Sequence, residues 1–234
     1  MNIKMTITQY IAVFITTICL STASLAASHN VAFVLVNDDS GVMTDMEKVP
    51  ELRAILLGQY KALKRQSRHY AKAEFVLIST SLARPVWYGK ISDLSTPRGG
   101  EIIERTANTP QNCNQLAASF DAARNAIVQL SAQGFTEIHV SIFSSLISTP
   151  VPCDTVEINL PQLPVPVDWA ATLAPTSNVR SITFYAANTH QYPIYAQSLQ
   201  SLVIWADEKG KQFSIHDVES SINILRFGLK GADK

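Results

Sequence analysis

The sequence predicts a three-layer α/β sandwich: a mostly parallel central sheet, one antiparallel edge strand, and helices on both faces. Three observations carry this. Short runs dense in Val, Ile and Phe alternate with segments of helical period, the pattern of strands joined by crossover helices. Several of these runs are apolar along most of their length, as strands covered on both faces are. Two of them, "EFVLIST" and "RPVWYGKI", are too close in the chain for a crossover helix, so they pair antiparallel.

The first 26 residues stand apart from this pattern. Lys4 gives a basic start, Tyr10 to Leu20 an apolar centre, and Ser24 to Ala26 the region that a signal peptidase reads. The apolar run is too short for a membrane span. The expectation is a secretory signal over 1–26 and a single domain over 27–234, exported to the periplasm or beyond. Without the signal the chain has 18 basic and 19 acidic residues. That balance gives no footing for a nucleic acid or an anionic membrane as partner.

The elements follow in order. "VAFVLVNDDSGVM" is a buried strand that runs into Asn37, Asp38, Asp39 and Ser40. "TDMEKVPELRAILLGQYKALKRQSRHY" has Leu52, Leu56, Tyr60 and Leu63 on one helical face and Pro50 near its start. Its cluster Lys61, Lys64, Arg65 and Arg68 reads as a solvated helix end. The hairpin comes next, and "TPRGG" breaks the chain after it. "CNQLAASFDAARNAIVQLSAQGF" is a second long helix with Leu116, Phe120, Ile127 and Leu130 inward and Gly134 placed to end it.

"EIHVSIF" is a further buried strand. Residues 145–178 then form a proline-rich loop, a length that is often functional inside a compact domain. The chain closes with strand "VRSITFYAA", helix "YAQSLQSLVIWADEKG", short strand "QFSIH" and helix "DVESSINILRFGL", with Asp217 as N-cap.

Cys19 leaves with the signal, so Cys113 and Cys153 remain in an exported chain and are expected to form one disulfide. Ligands of such sheets bind beyond the carboxyl ends of the strands. Asp38, Asp39 and Ser40 lie at such an end, as do the two cysteine-bearing loops.

The element order, and above all the tail from Val179 to Leu225, resembles a von Willebrand factor A domain, a Rossmann-like sandwich. The resemblance covers residues 30 to 228. It implies recognition of another protein on the upper face of the sheet, and a hard cation held by oxygen ligands from three loops. Asp38-x-Ser40 matches the first two of the family's metal ligands, and Thr109 in "ANTPQNC" matches its Thr. Val42 stands where the family has its second Ser. Ser144 and Ser145 stand where it has an acid after the strand. The site is expected to be degenerate, with weak or no affinity for Mg²⁺ or Ca²⁺ and no other cofactor. The reading is a non-catalytic module that binds a protein of an envelope, secretion or conjugation assembly, with Trp169 and Leu173 as apolar anchors in the proline-rich loop.

Two alternatives stand beside it. One is metal-dependent adhesion through Asp38, Ser40 and Thr109. The other is a hydrolase of the Gly-Asp-Ser esterase type, with Ser40 as nucleophile and His190 or His216 as base. For that enzyme no Asp precedes either His at the usual spacing, and the motifs of an oxyanion hole are absent. His29, His69 and His139 fit no metal spacing.

Overall fold

The computed structural model describes residues 30–40, 48–66, 70, 72–95, 101, 113–149 and 168–231. The strands are β1 (Val31–Asn37), β2 (Glu74–Ser79), β3 (Arg84–Lys90), β4 (Glu137–Phe143), β5 (Val179–Tyr185) and β6 (Gln212–Ile215). The helices are α1 (Val49–Gln66), α2 (Leu116–Ala132), α3 (Trp169–Leu173), α4 (Ala196–Lys209) and α5 (Val218–Gly231). Short 3-10 turns cover Ile91–Ser95 and Thr189–Gln191.

The sheet order is β3-β2-β1-β4-β5-β6. All neighbours pair parallel except β2 with β3, which gives the antiparallel edge that the short hairpin requires. The chain winds outward from β1 to β2, then starts again on the other side with β4. The carboxyl ends of β1 and β4 therefore flank the switch point, the place where ligands of such sheets bind.

Successive strand residues point to opposite faces. Ala32, Val34 and Val36 join Ile138, Val140 and Ile142 under α2, α3 and α4. Val31, Phe33 and Leu35 join Phe75 and Leu77 under α1 and α5. The helical period is correct where side chains are described: Leu52, Leu56 and Tyr60 of α1 and Leu116, Phe120, Ile127 and Leu130 of α2 are all buried. Gly134 (φ 90°) and Gly210 (φ 60°) end α2 and α4 in the left-handed region, which a Cβ disfavours. Asp217 caps α5, its Oδ1 accepting from the Ser220 N–H at 2.8 Å.

Several expectations fall outside the described residues. Among them are the signal segment 1–26, the Leu63 side chain with the basic cluster Lys61, Lys64, Arg65 and Arg68, the break at 96–100, and much of the proline-rich loop. Among the described residues no helix is long and apolar enough to cross a membrane.

The end of the 145–178 loop needs a correction. Residues 169–173 form α3, capped by Asp168, whose Oδ1 accepts from the Ala171 N–H at 3.1 Å. Trp169 and Leu173 are 3% and 0% exposed, so they are not surface anchors for a partner. Trp169 stacks on Phe184 (5.5 Å, 16°) and meets Phe120 edge-on (5.3 Å, 80°). The indole instead fills the layer between the sheet and the helices α2 and α4. A large apolar ring gains more there than it would at a wet surface.

Candidate functional site

Strand register builds the site. Asn37 pairs with Ser79 of β2 and with Phe143 of β4. One residue further along each strand come Asp38, Thr80 and Ser144. Two backbone bonds extend the ladder there, from Asp38 N–H to the Phe143 carbonyl (2.8 Å) and from Thr80 N–H to the Asn37 carbonyl (3.0 Å). A carboxyl group thus stands between two hydroxyls across the switch point.

Asp38 is completely buried, and both of its oxygens accept hydrogen bonds. Oδ1 takes the Ser40 hydroxyl (2.5 Å), the Ser40 N–H (3.1 Å) and, at 3.5 Å, the Thr80 hydroxyl. Oδ2 takes the Asn114 amide (2.7 Å) and the Ser144 hydroxyl (2.9 Å). Burial pushes the Asp38 carboxyl up to about 6; the bonds from Ser40 and Ser144 pull the other way, and the charge of Asp39 adds to the rise. Asp39, one residue on, turns away. Its oxygens accept from the Ser79 hydroxyl (2.6 Å) and the Ser81 N–H (2.9 Å), which pins the turn after β2.

Two residues that the sequence pattern did not single out complete the site. Arg53 of α1 is only 5% exposed. Its Nη2 donates to the Asp38 carbonyl at 2.7 Å, and its guanidinium lies over the Phe143 ring at 5.7 Å. Burial lowers its pKa, while Asp38 and Asp39 oppose that shift. Arg53 falls on the helix face next to Leu52 and Leu56, where an apolar residue would continue the pattern. That break in pattern was the available signal.

Asn114 lies just before α2. Besides Asp38, its Nδ2 reaches the Ile147 carbonyl (2.7 Å) and Ser144 Oγ (3.4 Å). Its carbonyl accepts from the Thr149 N–H (3.0 Å) and the Ser148 hydroxyl (3.2 Å), and its N–H donates to Thr149 Oγ1. Gln115 then ties the same loop to the turn after β2, through the Thr80 carbonyl (3.1 Å) and the Ser81 carbonyl (3.0 Å). No sequence spacing marks a single Asn in a loop for this role.

Of the predicted metal set, Asp38 and Ser40 come together, and Thr109 lies outside the described residues, as does Val42. Among the described residues Asp38 is the carboxylate that faces the hydroxyls of Ser40, Thr80 and Ser144, and its Oδ2 is held by the Asn114 nitrogen, which cannot ligate a hard cation. Among the described residues no three His, Cys, Asp or Glu side chains gather as a ligand set.

Nor does Ser40 stand as an exposed nucleophile. It is buried and gives its proton to Asp38, while His190 is exposed on the turn Thr189–Gln191 and His216 packs near Tyr185 (6.1 Å).

Cys113, next to Asn114, is disulfide-bonded. Its expected partner Cys153 lies outside the described residues. A bridge to Cys153 would close a 40-residue span, and reduction is then expected to lower stability by about 3–4 kcal/mol. Urea melts with and without reductant measure this, and intact mass rises by two protons on reduction. An unchanged mass would refute the bridge.

A second polar recess of about 210 Å³ lies on the α1 side of β1, β4 and β5. His139 bridges Glu137 (2.9 Å) and Ser181 (2.7 Å) there and stacks on Phe33 (5.3 Å). Pleat and register alone produce this chain, since residues 137 and 139 share a face and His139 pairs with Ser181.

No family model matches this chain, and no curated protein matches it either. Among solved structures it is similar to the PilB minor pilin of Streptococcus sanguinis, in its D319A mutant, at 11% identity and a TM-score of 0.54, over 89% of this chain and 62% of that one. It is also similar to the pilus adhesin SpaC of Lactobacillus rhamnosus GG, at 12% identity and a TM-score of 0.53, over 87% of this chain and 30% of that one. The chain thus spans less than two thirds of the pilin's length. At such identities the likeness is one of fold: a six-stranded, mostly parallel sheet between two helical layers.

Proposed function

We propose that this chain is an exported, non-catalytic protein-binding module with a von Willebrand factor A-like fold, working in a surface assembly such as a pilus, secretion or conjugation machine. The observation that carries this reading is the state of the switch point. An α/β enzyme presents reactive groups to solvent there. Here Asp38, Ser40 and Ser144 are buried and bonded to one another, so what remains for a partner is the shape and the rim of the upper face. The order β3-β2-β1-β4-β5-β6 and the position of Asp38-x-Ser40 after β1 support the A-type reading. The fold likeness to a minor pilin and a pilus adhesin supports an extracytoplasmic assembly by analogy.

Trp169 and Leu173 have no place in this surface. Leu82, in the turn after β2, and Ile194, after β5, are 42% and 37% exposed and flank the site instead. A photo-crosslinking residue placed at either position in the native cell tests the reading. The expected result is a defined adduct with one envelope or surface protein from Leu82 and Ile194. Gln133 and Lys211, at the opposite end of the sheet, should give none. Equal adducts from both ends, or none from the upper face, would count against it.

A further inference from the structure

We infer that Asn114 and Arg53 together take the place of a divalent cation, so that the upper loops are locked by protein groups alone. A metal at such a site has two tasks: to hold three loops by directional bonds, and to supply positive charge beside the first-strand acid. The structure divides these tasks between two side chains.

The directional task falls to Asn114. Its Nδ2 is ringed by acceptors from the loop after β1 (Asp38 Oδ2, 2.7 Å) and the loop after β4 (Ile147 O, 2.7 Å; Ser144 Oγ, 3.4 Å). The residue itself belongs to the loop before α2. Three loops thus converge on one nitrogen, where a metal would draw them onto an ion. The reverse orientation of the amide would set its oxygen against Asp38 Oδ2 and the Ile147 carbonyl. The nitrogen side therefore faces the acceptors, even though the buried Oδ1 has no partner among the described residues.

The charge falls to Arg53. Its buried guanidinium bonds to the Asp38 carbonyl and lies within the electrostatic reach of Asp38 and Asp39. A guanidinium keeps its charge when buried, which an ammonium does not do as readily. Ser144, a hydroxyl where the family has an acid, completes the exchange. A carboxylate there would add to the negative charge of Asp38 and Asp39, while a Ser donates to Asp38.

This goes beyond the binding reading and is tested by melting rather than by adducts, so either can fail alone. Thermal melts of the oxidised protein are compared in EDTA and in millimolar Mn²⁺, for the native chain and for Asn114→Asp. The substitution keeps the shape, but it turns the donor into a second carboxylate beside Asp38, Ser40 and Ser144.

The native chain is expected to melt at the same temperature in both conditions. Asn114→Asp is expected to melt at least ~5 °C lower in EDTA, through carboxylate repulsion, and to recover most of that loss in Mn²⁺. Recovery of soluble protein only in the presence of Mn²⁺ supports the inference equally. A Mn²⁺ shift in the native chain overturns it, and that arm needs no variant to fold. So does an Asn114→Asp chain that is no less stable than the native one, or one that does not respond to Mn²⁺, or one that is insoluble in both conditions.

Discussion

Replacing Asp38 with Ala is expected to destabilise the protein by about 3–5 kcal/mol, read from urea denaturation at neutral pH. The carboxyl accepts from Ser40, Thr80, Asn114 and Ser144, and Arg53 is buried beside it. Truncation leaves the Asn114 amide one acceptor short and removes one of the two acidic charges, Asp38 and Asp39, that act on the buried Arg53 guanidinium. Unsatisfied buried donors cost about 1–3 kcal/mol each, and groups next to a charge cost more. Hydroxyls can rotate to other partners, which is why the total stays well below a simple sum.

Asp38→Asn is the milder test and carries a pH signature. Burial holds the folded Asp38 pKa at about 6, above the ordinary value of 3.8. The folded state therefore binds a proton there more readily than the unfolded state does. The stability contributed by this proton is fully present below about pH 4 and is lost as pH rises through 6. The shift corresponds to about 3 kcal/mol between those limits. The native chain is expected to gain stability relative to Asp38→Asn as pH falls from 7 toward about 4. Parallel stability curves for the two proteins across that window would show that Asp38 does not titrate there.

Trp169→Ala is the second large effect, expected at about 3–5 kcal/mol of lost stability. The indole is held between Phe120, Phe184 and Tyr195, the last at 4.8 Å, and its removal leaves a cavity between α2, α4 and the sheet that the rigid strands cannot close. At a temperature where the variant is still folded, crosslinking from Leu82 should persist, because Trp169 acts from inside the core. Loss of the adduct from a fully folded Trp169→Ala protein would return Trp169 to the binding surface.

Much of the architecture was legible before any coordinates. The hairpin of β2 and β3 followed from chain length alone, since no helix fits in the four residues between Ser79 and Arg84. The inward faces of α1 and α2 followed from a 3.6-residue period, and the ends of α2 and α4 from glycines that tolerate positive φ. Position along the chain also put Asp38 and Ser40 at the head of a central strand. Trp169 was misplaced for a physical reason. Prolines around it signal an irregular loop, and nothing local shows that one turn of helix will carry it into a waiting aromatic slot.

The sequence by itself determined the alternation of strands and helices, the antiparallel edge, and an acid followed by a hydroxyl residue at the head of the first strand. These are properties of neighbours along the chain, and periodicity, turn chemistry and spacing report them. Only the tertiary structure decided what surrounds that acid. Asn114 is 76 residues from Asp38, Ser144 is 106 away, and Arg53 reaches it from α1. Strand register and helix packing bring them to one point, and hydrogen-bond direction decides whether the group facing a carboxylate is a donor or a ligand. That direction is a property of folded geometry, with no counterpart in the order of residues along the chain.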